Sequence, residues 1–594
     1  MALKRARLVA MAIAFPVALG LLSGCTGSDT GKGPGKVANK QTWAPEQLTS
    51  VQGVPATAIK AEMQKRLSAP KPSRIDDDQW GHTQRLYKLY GNNPLWLSSN
   101  GLHQTRTKAL TTAILAANAD GMRLDDYPIG PLATAIATLK QTKTPTAEQL
   151  ADADVLLTAS YAAIGEDLLT GQTDPRQFSQ AWHVNPEEEN VDSALVRNLR
   201  YEQLDRALAT MRPTDDDYAA LSQQLQNYRT IVAKGGWPTV PATASNIKPG
   251  ATASPAVIAA VRNRLAAEGI VVAGGATKSS MLPTLASIRA LSAALQSGTT
   301  AASSGVYDRD LAAAVALFQQ RHSINVDSAL GKETIDAMNQ PARYRLGEIA
   351  ANMERYRWLP RSLGQRYIFV NVPAFKLEAY DSGQKALNMK VIVGQEYEDK
   401  ATPVFADSME TVVFRPYWNV TPDIAAKEVF PKGQAYMARE NMETYTENGQ
   451  LRVRQRPGPK NALGFVKFLF PNDFNIYLHD TPNHELFNKD VRAFSHGCIR
   501  VEKPAELAQW VLGWPADKVQ QEMQSPPDNK SVKVPRKIPV YITYFTTYMT
   551  NGQLFFGNDL YNRDDKLVPA VMPGAMPGKE VVDAVQALRR IAGA

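Results

Sequence analysis

Cysteine and histidine are scarce in this 594-residue chain, which has two of the first and seven of the second. The cysteines, at positions 25 and 498, are too few and too far apart for a disulfide framework or a cysteine-rich zinc module. Basic residues exceed acidic ones only by 66 to 58, a mild excess for a nucleic-acid binder, which normally concentrates its charge on one patch. Hydrophobic residues make up 44%, which argues against a wholly disordered chain.

Long apolar runs are also rare, and the one at 8–22 follows three basic residues near the start of the chain. At about 15 residues the run is too short for a membrane span of about 20, and the pattern predicts a secretory signal. It ends in Leu-Ser-Gly-Cys, which resembles the bacterial lipobox. The resemblance implies a lipoprotein signal peptide at 1–25, lipidation of Cys25 and, because Thr26 follows, an outer-membrane anchor facing the periplasm. An ordinary signal peptide that contains a cysteine is the alternative.

Composition and periodicity divide the rest of the chain into segments. A stretch rich in Gly, Ser, Thr, Lys and Pro predicts a flexible tether, and apolar residues at helical spacing predict an α-helical scaffold domain. From about residue 367 the pattern changes to runs of Val, Ile, Tyr and Phe, which predict strands. The predicted boundaries are a tether at 26–70, the scaffold domain at 71–240, a small module at 254–341, a mostly-β domain at 345–565 and a C-terminal tail at 566–594. A charged, more helical insertion at 422–455 interrupts the strand pattern, and we expect it to form a lid over a cleft.

The small module contains the pattern Ala-Val, then Phe318-Gln319, then Gly331, Thr334 and Met338-Asn339. Read alone, this is an amphipathic helix with Phe318 in a core. The pattern also resembles the three-helix peptidoglycan-binding module, and the resemblance implies glycan strands as a partner. The turn here is Asp327-Ser328, where the family has Asp-Gly.

Chemistry is concentrated around Cys498, in the sequence Phe-Ser-His-Gly-Cys-Ile-Arg-Val. Cysteine is often a buried, inert residue, but an unpaired thiol in an exported protein requires another explanation. A reactive thiolate needs a neighbouring base, and histidine is the usual one. Gly497 allows a tight turn that would direct backbone amides at one oxygen.

Three histidines precede Cys498 within 20 residues. His496 would share a face with Cys498 in an extended strand, and His479 closes a strand-like run that could lie beside the thiol. Spacing alone does not choose between them, whereas His484 lies in a turn-like segment and is expected to be solvated. A zinc site is disfavoured because the chain has no His-Glu-x-x-His pair.

The block at 458–512, with its Ile-Tyr-Leu-His-Asp-Thr-Pro and Ser-His-Gly-Cys segments, resembles the YkuD-type L,D-transpeptidase domain, in the large YcbB-like branch. The resemblance implies Cys498 as nucleophile and His479 as base, oriented by a backbone carbonyl and not by the Asp480 side chain. Ser495, His496, Gly497 and Arg500 would form the oxyanion site and active loop. Tyr477, Trp418 and Asn419 would line the substrate cleft.

The resemblance further implies acyl transfer that forms 3→3 cross-links between peptidoglycan stem peptides, without a metal or organic cofactor and with carbapenems as covalent inhibitors. An L,D-carboxypeptidase, or attachment of an outer-membrane protein to peptidoglycan, would use the same Cys/His chemistry. A non-catalytic wall-binding scaffold is the alternative of a different class.

Overall fold

The computed structural model describes residues 45–178, 182–184, 191–192, 194, 208–243, 245–270, 305–395 and 400–592. The predicted signal peptide, Cys25 and the first part of the tether lie outside these residues. The rest of the predicted tether is instead a short hairpin, β1 (Ser50–Val51) with β2 (Val54–Pro55), followed by the helix Ala56–Ser68. Ile59, Met63 and Leu67 recur at a helical period and are buried, so this helix packs into the domain that follows.

The N-terminal domain is helical around one largely buried helix, Ala147–Thr170. That helix begins with a capping box between Thr146 and Gln149. It is apolar on most sides, so neighbouring helices cover most of its surface. A two-stranded turn, β3 (Leu97–Ser98) with β4 (Gly101–Leu102), joins two of them. The other helices of this domain are Asp77–Leu89, Gln104–Ala117, Ile129–Gln141, Pro175–Phe178 and Asp216–Ala233.

The described residues of the small module include the helices Pro255–Ala267, Arg309–Arg321 and Lys332–Asn339 around a separate apolar core. Phe318 lies in that core, as its helical spacing predicts. The amide of Gln319 is buried and donates to Asp327 Oδ1 at 2.9 Å, which closes the Asp327-Ser328 turn.

A long helix, Ala342–Arg357, connects the module to the strand-rich domain and is buried along almost its whole length. It packs against Asp216–Ala233 and against the later helix Asp564–Ala575. The close approach of the latter depends on Gly347, because a β-carbon there would lie 2.6 Å from Met572 Cε. The helix therefore joins the two domains through a common core.

The strand-rich domain is a twisted sheet whose ends meet. Its order is β13-β14-β16-β8-β7-β6-β17-β9, and β13 also pairs with β9, so the ring of strands closes. β5 (Trp182–His183), from the helical part of the chain, extends the sheet beside β9, and β15 pairs with β8. The strands are β6 (Arg366–Asn371), β7 (Lys376–Asp381), β8 (Gln384–Gly394), β9 (Val404–Phe414), β13 (Val466–Leu469), β14 (Leu478–His479), β15 (Ala493–Ser495), β16 (Ile499–Val501) and β17 (Lys530–Thr543).

The insertion at 422–455 is only half helical, which corrects the prediction. Short helical turns at Pro422–Ile424, Ala425–Val429 and Phe430–Lys432 lead into the helix Gly433–Arg439. The second half is a hairpin of β11 (Met442–Glu447) and β12 (Gln450–Gln455), which pairs with β10 (Trp418–Val420). The Asn448-Gly449 pair between two strand-like segments favours a hairpin. The insertion also has a small apolar core of its own.

The C-terminal segment is not a tail, which is a second correction. After the helices Pro504–Leu512 and Ala516–Gln524 and the hairpin β18 (Thr547–Thr550) with β19 (Gln553–Phe556), the chain forms two more helices. Asp564–Ala575 packs on the connecting helix, and Lys579–Ala592 packs on Gln104–Ala117 in the N-terminal domain. Val581, Val585 and Leu588 are buried there, because they form an apolar stripe on an otherwise charged helix.

Candidate active site

The chemistry-bearing residues lie on one face of three adjacent short strands. Lys467 on β13 pairs with His479 on β14, and His479 pairs with Arg500 on β16. Paired residues of neighbouring strands point to the same side of a sheet, so these three side chains form a row. Cys498 and Tyr477 lie two positions before Arg500 and His479, and the alternation of side chains places them on the same face.

Cys498 is half-buried at the start of β16. Its Sγ lies 3.6 Å from the Asn475 carbonyl oxygen, and Ile499 N donates to the Tyr477 carbonyl at 3.1 Å, which fixes the thiol beside β14. Burial raises the pKa of Cys498 to about 11, while hydrogen bonds from the Tyr477 backbone and side chain and the positive charges of Lys467 and Arg500 act in the opposite sense. At neutral pH the resting group is a thiol, which needs a base to become a nucleophile.

His479 is buried on β14, which pairs with β16, the strand that follows Cys498. Its Nδ1 donates to the Asp480 carbonyl oxygen at 2.5 Å, so Nε2 carries the lone pair that a base needs. Burial, together with the positive charges of Arg500 and Lys467, lowers the pKa of His479 to about 3, although the Asp480 hydrogen bond opposes the shift. The imidazole is therefore neutral and able to accept a proton.

The Asp480 side chain serves the backbone and does not contact the imidazole. Its two carboxylate oxygens accept from Phe465 N at 2.8 Å and Thr481 N at 2.7 Å. The resemblance predicts this arrangement, in which a carbonyl orients the histidine. Asp480 thereby fixes the start of β13, and with it the position of Lys467.

The loop before Cys498 is held by two hydroxyl groups. Ser495 Oγ donates to the Cys498 carbonyl at 2.5 Å and accepts from Gly497 N at 3.2 Å. Thr402 Oγ1 donates to the Gly497 carbonyl at 2.8 Å. Gly497 has a φ of +109°, where a β-carbon would lie 3.1 Å from Ile476 Cδ1, so the turn requires glycine. Because the Gly497 amide is engaged by Ser495, the candidates for an oxyanion site are the amides of His496 and Cys498.

A second layer of hydrogen bonds behind this loop comes from the far end of the domain and could not be predicted from the sequence. Tyr561 Oη donates to the Gly394 carbonyl at 2.8 Å and accepts from Thr402 N at 3.2 Å. Arg563 donates to the Thr402 carbonyl at 3.3 Å. Thr402 lies eight residues after Gly394, which ends β8, and precedes a proline, but nothing in its neighbourhood indicates a contact with Gly497.

The other two histidines lie away from the thiol. His496 is exposed, and its Nε2 lies 2.6 Å from Glu428 Oε1 of the insertion. His484 is exposed in the turn after His479, 3.8 Å from Asp480 Oδ1, as expected of a solvated residue. Of the three histidines, His496 is engaged by Glu428 and His484 is solvated, whereas His479 lies on the strand that pairs with β16.

Trp418 and Asn419 lie outside the row of strands that carries Cys498. Both lie on β10 and pair with β12 of the insertion, whose Glu428 contacts His496 of the active loop, so their place in the cleft stays a prediction. Trp418 packs against the small core of that insertion, because the chain has already left the main sheet at Pro416, and Asn419 is exposed. Tyr477 is present as predicted, with its ring centroid 5.6 Å from that of His479.

Lys467 is the residue that sequence reasoning missed. It is half-buried between Val466 and Phe468 on the catalytic face, and a lysine inside the apolar run Phe-Val-Lys-Phe-Leu-Phe is the signal that could have pointed to it. No group of three or more His, Cys, Asp or Glu side chains suited to a metal ion occurs within the described ranges. In the same part of the chain, no helix is both long and apolar enough to cross a membrane.

Three stretches of the chain match known families. Residues 365–542 match YkuD, the L,D-transpeptidase catalytic domain, and residues 81–225 match a scaffold domain. Residues 288–338 match the "Putative peptidoglycan binding domain". These matches confirm the predicted mostly-β catalytic domain, helical scaffold domain and peptidoglycan-binding module.

One curated relative, from Haemophilus influenzae and named "Putative L,D-transpeptidase", is 33% identical over 245 residues. The match covers 37% of this chain, which spans about half (48%) of the relative's length. Among solved structures, the L,D-transpeptidase of Xylanimonas cellulosilytica (residues 123–326) matches at 15% identity over 51% of this chain and all of that one, with a TM-score of 0.15. A score this low supports no argument about shared geometry.

Proposed function

Because the chain carries a YkuD-type L,D-transpeptidase catalytic domain and a peptidoglycan-binding domain, we propose that it is a cysteine-dependent transpeptidase that forms 3→3 cross-links between peptidoglycan stem peptides. Cys498 is the nucleophile and His479 the general base and acid. Carbapenems are the expected covalent inhibitors, since they acylate the same thiol. The lipobox-like segment at Cys25 supports a lipid-anchored periplasmic protein.

The carrying observation is the pairing of β14 with β16. It places a neutral imidazole, whose Nδ1 is held by the Asp480 carbonyl at 2.5 Å, on the same face as the half-buried thiol. A nucleophile with a base beside it, and an orienting group behind the base, is the arrangement that covalent catalysis requires. Tyr477 hydrogen bonds to the thiol, which orients the sulfur toward an incoming carbonyl.

The reaction would proceed in two acyl transfers. Cys498 Sγ attacks the carbonyl carbon of the third stem residue while its proton passes to His479 Nε2. The amide bond to the terminal D-Ala then breaks, the D-Ala nitrogen takes that proton, and a thioester remains. The side-chain amine of a second stem attacks the thioester, gives a proton to His479, and the carbon–sulfur bond breaks to regenerate the thiol. The amides of His496 and Cys498 would stabilise the oxyanion in both steps.

The insertion would act as a lid at this site. Glu428, in one of its short helical turns, reaches His496 of the active loop and lies 3.6 Å from Lys400 Nζ. The insertion has its own small core, separate from that of the sheet, so it can move as a unit while this contact holds or releases it.

The test is incubation of the full chain with disaccharide-tetrapeptides, followed by mass spectrometry. We expect a cross-linked dimer together with released D-Ala, and no product with Cys498→Ala. The exposed His484 provides a matched control, because His484→Ala should retain activity. Release of D-Ala without a dimer would instead indicate a carboxypeptidase. A cross-linked product that forms only when a protein with an accessible lysine is added as the acceptor would indicate attachment of a protein to peptidoglycan. Wild-type protein that behaves like Cys498→Ala would overturn every enzymatic reading.

A carbapenem gives an independent measure of the thiol. The intact protein should gain the mass of one inhibitor molecule, and Cys498→Ser should lose this adduct while it binds peptidoglycan sacculi as before. An adduct that persists in Cys498→Ser would exclude Cys498 as the acylated residue.

A further inference from the structure

The catalytic face holds two cations that form no ion pair with a carboxylate in the described part of the chain. Within the described ranges, neither Lys467 nor Arg500 lies within 4.0 Å of a carboxylate oxygen. The Lys467 ammonium lies 5.8 Å from the centroid of the Tyr477 ring, whose hydroxyl is bonded to Cys498. A buried cation without a counter-ion is costly, so a fold retains one where an anion forms.

We infer that Lys467 is a positioning residue for the reaction: its ammonium, in a row with His479 and Arg500, supplies the positive charge that stabilises the Cys498 thiolate. The inference goes beyond the assignment of nucleophile and base. It rests on the proposed role of Cys498, but its readout is the reactivity of the thiol and needs no peptidoglycan.

Of the two cations on this face, Lys467 is the one whose charge can be removed without disturbing the active loop. Arg500 also has a structural task, since its guanidinium is 3.4 Å from the Phe494 carbonyl of the active loop, and Glu485 acts on it. On the solvent side, His496 is bonded to Glu428. The charged and titratable groups on the face of Cys498 are Lys467 from β13, Tyr477 just before β14, His479 from β14 and Arg500 from β16.

Electrostatics in both directions agrees with this geometry. Burial lowers the pKa of Lys467, and the Cys498 charge acts against that shift. The same ammonium lowers the pKa of the thiol and that of the imidazole. Lys467 would therefore keep His479 neutral before the proton transfer and stabilise the Cys498 thiolate as it forms.

The test is the pH profile of Cys498 alkylation by iodoacetamide, followed on the Cys498 peptide by mass spectrometry so that Cys25 does not contribute. In Lys467→Met the profile should move to higher pH, and alkylation at a fixed pH below the midpoint should fall on the order of tenfold. Lys467→Arg should restore the rate to within about threefold, because it keeps the charge. The control is Lys533→Met, an exposed lysine on β17, which should match wild type.

A structural role for Lys467 would give a different pattern. Loss of charge raises the pKa of both Cys498 and His479, and the imidazole shift can be followed by NMR, whereas local disorder would not move the two together. If Lys467→Met fails to fold, Lys467→Gln provides a second neutral variant. An unchanged alkylation profile in a folded neutral variant, or failure of Lys467→Arg to restore it, would overturn the inference.

Discussion

Buried charge is handled in opposite ways at the catalytic face and at the junction between the peptidoglycan-binding module and the catalytic domain. At the catalytic face, Lys467 and Arg500 flank His479 without a carboxylate in ion-pair distance in the described parts of the chain. At the junction, Arg264, Glu268 and His322 are fully buried and bonded to one another. Unpaired cations are expected where an anion forms during a reaction, and paired ones where the fold alone must be held.

The junction consists of hydrogen bonds and ring contacts centred on the Glu268 carboxylate and the His322 ring. Glu268 accepts from Arg264 at 2.9 Å and lies 3.0 Å from His322 Nε2, and Tyr228 of the helical domain donates to the same carboxylate at 3.3 Å. The His322 ring stacks on Phe556 of the catalytic domain at 5.2 Å. Burial lowers the pKa of His322 to about 4, although Glu268 opposes the shift, so the imidazole donates to the carboxylate as a neutral group. The module is thereby joined to both neighbouring domains.

The largest expected effect is on the catalytic side. His479→Gln removes the base next to Cys498 and should lower kcat/KM for tetrapeptide donors by about 10³-fold. His496→Gln, which loses only the contact with Glu428, should cost far less. Steady-state assays of both variants check this. If His496→Gln abolishes activity and His479→Gln does not, the assignment of the base is wrong.

At the junction the loss should appear in stability. Glu268→Gln leaves the Arg264 guanidinium buried without its counter-charge and should lower the free energy of unfolding by about 3 kcal/mol. The variant should retain thiol reactivity, since Cys498 belongs to a different cluster. Urea unfolding and iodoacetamide alkylation measure the two effects. A variant of unchanged stability would show that the buried triad does not hold the module.

The sequence predicts the segments of the catalytic face much better than it predicts the elements whose partners lie far along the chain. Cys498, His479 and the active loop lie within 20 residues in distinctive segments; spacing leaves His479 and His496 open as the base, and the resemblance to the L,D-transpeptidase domain indicates His479. The pairing of Trp418 could not be predicted, because the departure of β10 from the main sheet depends on the hairpin at 442–455, whose pairing is not local. The sequence predicts a tether and a tail where the structure has the helices Ala56–Ser68 and Lys579–Ala592, because the partners of these helices lie far along the chain.

The charge arrangement was beyond the reach of sequence for the same reason. Lys467 and Arg500 become neighbours of His479 only through strand register. Glu268 and His322 lie on different helices of the module, and their third contact, Tyr228, comes from another domain. Hydrophobic periodicity fixes which face of an element is buried, but it does not indicate which charges meet there.

A smaller effect should appear in the pH dependence of the junction. The pKa of His322 is lowered in the folded protein from about 6.5 to about 4, so the unfolded state binds more protons between these values. Stability from the junction should therefore fall as pH falls from 6.5 toward 4, by up to about 1.4 kcal/mol per pH unit. Hydrogen exchange in the helix Arg309–Arg321 at pH 7 and pH 5 measures it. His322→Gln should reduce this difference, and an equal slope in both proteins would contradict it.

The smallest effect concerns the module turn, where stabilisation should come without a loss of activity. Ser328 has a φ of +59°, a left-handed conformation that a side chain disfavours by about 1–2 kcal/mol. Its backbone amide donates to Gln319 Oε1 at 2.8 Å, a bond that glycine retains. Ser328→Gly should therefore stabilise the module by about 1 kcal/mol, less the entropy that glycine adds to the unfolded chain.

Hydrogen exchange in the helix Arg309–Arg321 measures this gain in stability. Thr334→Val, which removes a hydroxyl bonded to the Gln319 amide at 3.0 Å, should lower the stability of the module. Because the turn carries no reacting group, the rate of Cys498 alkylation should be identical in the wild type, Ser328→Gly and Thr334→Val. A changed alkylation rate in Ser328→Gly would mean that the module and the catalytic face are coupled. The charge clusters of the junction and of the catalytic face would then not be independent.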